Sequence, residues 1–419
     1  MIGRRAAVLL ALAGVLAAAA GCGGGGSAES PSSSPSGPTG STSVDALAPI
    51  MIGSIGTFTG PHASSDTGAI TALNAWVAST NANGGLLGHK VDLVVKDDGG
   101  SAETAGQAVR DLVEKDRVVA IVSDQSDVDS SWQNYVDGKK VPVIGGTSEN
   151  VPFLTDANFF ASGANLIALT YGVEVIAKTR GTNLGSLYCA DVSRCAAADR
   201  AQKALGVTTG VKVAVEAELA IPLTDPTAVC QRLLSANVLS YTVTAPPAVA
   251  SAVATACAAQ GVTAAQIGTG TAAAQDLAAT PALQGSTYLL PTAPWFVTSI
   301  PGVAVYRQAL SRYVPAGLGA LDGPNAFSAW IAGQLFAKAV VASGSPVVTA
   351  DSVRAGLYAL RGETLGGIVA PITYRRDRPN LLNCYFGISI VGGALTAANS
   401  AQPTCAPDAV VAAAVDKVR

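Results

Sequence analysis

Apolar runs of strand length alternate with stretches of helical period along most of the chain, and this alternation restricts the fold more than any other feature. Residues 50–55 read as a strand, and Ile70, Leu73 and Val77 then fall at i, i+3 and i+7 of a helix. Val91, Leu93 and Val95 alternate along the next strand, and Ala105, Ala108, Val109, Leu112 and Val113 share one helical face. Apolar segments at 118–122 and 141–144 continue the series. After Asn165 the pattern restarts, with helices expected at 166–178, 196–205 and 228–234 and strands at 184–188, 211–215 and 238–243. Repeated βα winding of this kind predicts an α/β protein built from two doubly wound units. Later helical patterns at 248–259, 303–313, 326–341 and 352–360 are expected to return in part to the first unit.

The length fits this division, since 419 residues exceed one ordinary core and suit two. With 49% hydrophobic and 13% charged residues, the chain has ample material for burial. Net charge is −3 and no Lys/Arg block occurs, so the cationic footprint that a phosphate backbone requires is missing and nucleic acid is excluded as a partner.

Arg4 and Arg5 precede an apolar run over residues 6–20 that ends in Ala19-Ala20-Gly21-Cys22, the layout of an export signal over residues 1–21. The run is shorter than the roughly 18 apolar residues that span a bilayer, so no transmembrane helix is expected in the mature chain. The residues before Cys22 resemble the lipobox of bacterial lipoproteins, which implies acylation of the Cys22 thiol and anchoring to the outer face of the cytoplasmic membrane. Ala19 stands where Leu is usual in that motif, and a plain secretory signal with an incidental Cys stays open. Residues 23–43 are almost wholly Gly, Ser, Pro, Thr and Ala and cannot bury enough apolar surface to offset ordering. Residues 22–49 are therefore assigned to a lipidated Cys and a flexible tether.

Besides Cys22 the chain carries Cys189, Cys195, Cys230, Cys257, Cys384 and Cys405, an even set in a chain sent to an oxidising compartment. Among the possible pairings the sequential one is expected, because each bridge then closes a local loop. No C-x-x-C occurs, and His62 and His89 lie far from every Cys, so no metal site is expected.

Ile52-Gly53-Ser54 through Thr59-Gly60-Pro61, the segment from Asn81 through Gly84-Gly85 to Gly88-His89-Lys90, Asp97-Asp98, Val141-Pro142-Val143-Ile144 and Glu363-Thr364-Leu365-Gly366-Gly367 follow one another in a familiar order. The collection resembles the branched-chain amino-acid binding proteins of ABC importers, within the type I periplasmic-binding-protein group. The resemblance spans residues 50 to about 393. It implies two Rossmann-like lobes joined by three crossings, closing on ligand by a hinge, with residues 50–165 and 292–345 in lobe 1 and 166–291 and 346–410 in lobe 2. It also implies an extracytoplasmic solute-binding component, expected to act as a monomer, that passes a small polar solute to a membrane permease without any cofactor. A ligand-sensing surface receptor of the same fold is the alternative.

The same resemblance assigns ligand contacts to Thr59, Ser126, Thr147, Ser148 and Tyr188. Ser126 stands equally well as a helix cap, which uses the same oxygen. Glu149 occupies a position where relatives carry Thr, and a carboxylate there repels the carboxylate of an amino acid unless it points away. Asp124, Asp127 and Asp129 crowd the same loop; with Glu149 they fit a cationic or amine-bearing ligand, although helix-start acids capping free amides explain them also. Arg194-Cys195 replaces a Tyr-Gly step of relatives, and Arg194 is expected near the cleft mouth, solvated. Trp295 is expected to pack the hinge.

No G-x-S-x-G elbow, H-E-x-x-H pair or phosphate loop ending in Gly-Lys-Ser or Gly-Lys-Thr is present, so no enzymatic machinery is expected. Gly268-Thr269-Gly270-Thr271-Ala272-Ala273 loosely fits a dinucleotide fingerprint but reads as a loop beside a strand.

Overall fold

The computed structural model describes residues 47–418 apart from 61, 62, 64 and 65. The export signal, Cys22 and nearly all of the tether lie outside the described residues. The first lobe runs β1 (Ile50–Gly56), α1 (Thr67–Ala82), β2 (Val91–Asp97), α2 (Ala102–Arg110), β3 (Ile121–Gln125), α3 (Gln133–Lys139), β4 (Val143–Gly146), the short α4 (Pro152–Thr155) and β5 (Phe159–Phe160). Its sheet is parallel throughout, in the order β2-β1-β3-β4-β5.

The Asn-x-x-Gly-Gly turn shows why its residues sit where they do. Asn81 near the end of α1 clasps the start of β2: its Nδ2 donates to Val91 O and its Oδ1 accepts from Val91 N, both at 2.8 Å. Gly84 and Gly85 take φ of +94° and +78°, and a Cβ on Gly85 would lie 1.9 Å from His89 O. Only glycine tolerates both demands.

The second lobe continues with α5 (Leu166–Lys178), β6 (Asn183–Cys189), α6 (Ser193–Thr209), β7 (Lys212–Leu219), α7 (Thr227–Ser235), β8 (Ser240–Thr244), α8 (Pro247–Ala259), β9 (Ala265–Thr269) and β10 (Thr287–Leu290). The chain then returns to the first lobe as α9 (Pro301–Tyr313), α10 (Pro324–Ala342) and α11 (Ala350–Ala359), and closes the second with β11 (Cys384–Val391), β12 (Ala394–Ala397), β13 (Thr404–Cys405) and α12 (Asp408–Val418). The second sheet runs β12-β11-β10-β9-β8-β6-β7 with β13 beside β11, parallel from β7 to β10 and antiparallel at β11.

Between the sheets lie three crossings that bond to one another. Ala164 N donates to Pro291 O, Asn165 N to Leu382 O and Ala293 N to Ile368 O, each at 2.9 Å. Asn165 also caps α5 by accepting from Ala168 N at 2.9 Å, so one side chain starts a helix beside the hinge. Trp295 is fully buried in the second crossing, edge-on to Phe296 with ring centroids 5.3 Å apart.

The disulfides pair sequentially, as expected: Cys189–Cys195 joins β6 to the first turn of α6, Cys230–Cys257 joins α7 to α8, and Cys384–Cys405 joins β11 to β13.

In three places the elements differ from expectation. The strand expected at 118–122 is β3 at 121–125, extended into Ser123-Asp124-Gln125 because those polar groups are buried and bonded. Residues 372–374, strand-like in sequence after Glu363-Thr364-Leu365-Gly366-Gly367, form no sheet strand; Ile372 bridges Glu363 alone, and the Tyr374 hydroxyl donates to Ala161 O. The segment expected in lobe 2 from residue 346 stays on the first lobe through α11, which packs on α10. Gly356 permits that approach, since a Cβ there would meet Ala339 O at 1.8 Å.

Candidate functional site

The carboxyl ends of the first sheet's strands form one wall of the interlobe cleft, where open parallel sheets bind their ligands. A bulge shapes it: Ser123 takes φ +66° within β3, and the register with β1 shifts between Gly53 and Ile55. The bulge re-aims the residues that follow it. Ser54 Oγ donates to Ser123 O at 2.8 Å, and Gln125 Nε2 donates to Ser123 Oγ at 3.1 Å.

After β4, Gly146 (φ +111°) lets the chain cross so close to β3 that a Cβ would lie 2.0 Å from Asp124 O. Thr147 N then donates to Asp124 O at 2.8 Å, and Thr147 Oγ1 to Gln125 Oε1 at 2.9 Å. Asn150 Nδ2 spans Ser126 O and Asp129 Oδ2, both at 2.8 Å. Two loops are thereby fused into one polar surface.

Ser126, Thr147 and Ser148 are all buried in this surface. Ser126 Oγ accepts from Val128 N at 3.2 Å and from Trp132 Nε1 at 3.4 Å, so its oxygen serves the loop's own amides. Thr59 is exposed, and its hydroxyl bonds the Asp97 carboxylate, helping to hold that pKa low against the opposing effect of burial. Tyr188 lies in the other lobe with its hydroxyl 3.2 Å from Glu216 Oε1 and 3.4 Å from Glu218 Oε1 on β7. The structure therefore groups three of the five expected ligand residues and leaves Thr59 and Tyr188 engaged elsewhere.

Sequence reasoning passed over Asp66, Asp98 and Asn325. Asp66 stands immediately before α1 and is buried, with Oδ1 accepting from Asn325 Nδ2 at 2.7 Å. Asp98 Oδ1 takes bonds from Thr57 Oγ1 and Gly100 N, both at 2.8 Å, and Thr57 Oγ1 accepts from Asp127 N at 3.1 Å. The available signal was position: both acids fall at element ends facing the same loops.

Arg194 corrects the expectation of a solvated side chain. From the first turn of α6, one residue from the Cys189–Cys195 bridge, its Nη1 pairs with Asp127 Oδ1, and the two side chains are only 12% and 5% exposed. Glu149 answers from the first lobe, lying so close to Gly270 after β9 that a Cβ there would overlap its carboxylate. The cleft walls therefore meet at one charged pair and at one close approach of a carboxylate to backbone.

Burial, which disfavours charge, sets the acidity of this cluster. It pushes Asp66 well above the carboxylate range, with Asp127 adding to the effect. Asp124 is raised strongly by burial and then by Asp129; Asp129 is pushed up to about 7 by burial, and Asp98 is raised for the same reason. For Arg194 burial works against the charge, but Asp127 and then Asp66 outweigh it and hold the guanidinium firmly protonated.

Two doubly wound lobes, three bonded crossings and polar walls at the carboxyl ends of the strands define a two-lobed binding protein. The sequence matches the periplasmic binding protein model over residues 49–394, and the chain belongs to that family. No curated protein sequence matches it. A substrate-binding protein of an ABC transporter from Aeropyrum pernix superposes with a TM-score of 0.78 at 17% identity, covering 88% of this chain and 99% of its own. A branched-chain amino-acid ABC transporter protein from Thermus thermophilus with bound valine gives 0.78 at 14% identity, covering 86% and 97%. A solute-binding protein from R. palustris in complex with benzoate gives 0.69 at 16% identity, covering 85% and 98%. Membership implies an exported chain, and among the described residues no helix is long and apolar enough to cross a membrane.

Proposed function

We propose that the chain is the extracytoplasmic solute-binding component of an ABC importer, capturing a small polar solute, such as an amino acid, an amide or a related compound, in the interlobe cleft. The observation that carries this reading is the Arg194–Asp127 pair, a charged contact made between the two walls. A solute touching both walls there favours the closed arrangement by its differential contacts. Relatives of the same fold hold valine and benzoate. Cys22 anchors the chain to the outer face of the cytoplasmic membrane, and residues 23–43 give the monomeric receptor reach toward its permease.

A thermal-shift screen of the oxidised mature chain against amino acids, amides, diamines and small organic acids tests the reading. A solute at about a hundredfold over its Kd adds about 2.7 kcal/mol to stability. No shift with any class would sink it. Substituting Cys22→Ala should move the protein from the membrane to the soluble fraction; retention at the membrane would overturn the anchor.

A further inference from the structure

Acidic side chains outnumber basic ones at the cleft. Asp66, Asp98, Asp124, Asp127, Asp129 and Glu149 line or adjoin it, and Arg194 is the basic side chain that reaches them. Among the described residues no group of acids is arranged to hold a metal ion. Structural partners account for part of the cluster: Asp98 secures Thr57 and Gly100, and Asp129 secures Asn150.

Asp98 Oδ2, Asp124 Oδ2 and Asp127 Oδ2 are all buried without a partner among the described residues, but Asp127 is the acid of the three that already holds a cation. Its Oδ1 takes Arg194, while its Oδ2 is buried without a hydrogen-bond partner among the described residues, on a residue only 6% exposed. A buried carboxylate oxygen left unbonded costs free energy that a further donor recovers. Asp66 adjoins the same pair, and its burial favours the neutral carboxyl, which leaves Asp127 as the anion of the seat. The chain's own guanidinium thus occupies a seat with acceptor capacity to spare, at the place where a solute would meet both walls.

We propose that the cleft recognises the cationic end of its solute, an ammonium or guanidinium, at Asp127, and that Arg194 is a tethered competitor which occupies this seat when solute is absent. The inference rests on the reading of the cleft as the solute site and names the solute's chemical class. An anionic solute meets the opposite situation, because Arg194 is already neutralised by Asp127. The Cys189–Cys195 bridge fixes the turn that presents Arg194, so the competitor is held at the seat.

Isothermal titration of the oxidised mature chain with agmatine, putrescine, valine and benzoate tests this, using wild type, Arg194→Gln, Arg194→Lys and Asp127→Asn. Agmatine or putrescine should bind wild type and benzoate should not. Arg194→Gln should tighten the cation about tenfold, as expected when a state competing with binding is removed. Arg194→Lys keeps the competing charge and should stay near wild type, while Asp127→Asn should weaken the cation by more than about tenfold. Loss of cation binding in Arg194→Gln, or benzoate binding that depends on Arg194, would make Arg194 a solute anchor and overturn the proposal. A neutral solute from the broader screen that binds wild type and Asp127→Asn equally overturns the cation reading and leaves the receptor reading standing. No binding in either experiment overturns both.

Discussion

Asp129 links the cleft to pH. Its carboxyl is pushed up from an ordinary value of 3.8 to about 7 by burial, while Asn150 pulls the other way. The titratable groups that act on it are Asp124 and Arg194. Because its folded-state pKa lies above the unfolded one, the folded chain binds the proton more tightly between these values. The contribution is therefore complete below about pH 3.8 and is lost as pH rises through about 7. Melting of the solute-free protein should rise as pH falls from 7 toward 5, and Asp129→Asn should flatten that slope; an unchanged slope would place the titration elsewhere. Gly146 makes a sterner demand on its site, having both a positive φ and the contact with Asp124 O. Gly146→Ala should cost on the order of 2–4 kcal/mol by urea unfolding, since strain and overpacking act together. A loss under about 0.5 kcal/mol would show that the loops after β3 and β4 separate easily.

Among the elements, α7 and α8 owe their mutual fixing to Cys230–Cys257, a bridge that spans 27 residues. In the chain-entropy account a loop of that size contributes about 3.5 kcal/mol. Cys230→Ser with Cys257→Ser should lower Tm by several degrees in oxidising buffer; equal melting would mean that helix packing alone suffices. The strands and helices that the sequence made legible are those whose burial is apolar, such as β1, β2 and α5. β3 was misplaced because its last three residues are polar, and their burial depends on partners such as Thr147 and Ser328, distant in sequence. Arg194 was misread for a similar reason: nothing near it in sequence announces Asp127. Ser126, Thr147 and Ser148 were legible through family resemblance, but the loop bonds that occupy Ser126 required coordinates. The position of α11 was hidden because an amphipathic helix at 352–360 fits either lobe until Gly356 is seen against Ala339.

At the scale of the molecule, the hinge and the cleft oppose each other. Bonds among the crossings hold the lobes in register, while the Arg194–Asp127 pair draws the walls together. Arg194→Gln without solute should raise the radius of gyration measured by small-angle X-ray scattering, and a cationic solute should return it to the wild-type value. An identical radius in the variant would show that the hinge alone sets closure. The chain's path between lobes also governs the order in which it becomes a protein. Trp76 of α1 is buried edge-on to Phe336 of α10, with Gly333 so close that a Cβ would lie 2.4 Å from the indole. A growing chain that ends before α10 has no lid for that indole, whereas much of the second lobe is already complete. The lobe that begins first therefore finishes late, its core closing only once α10 is in place.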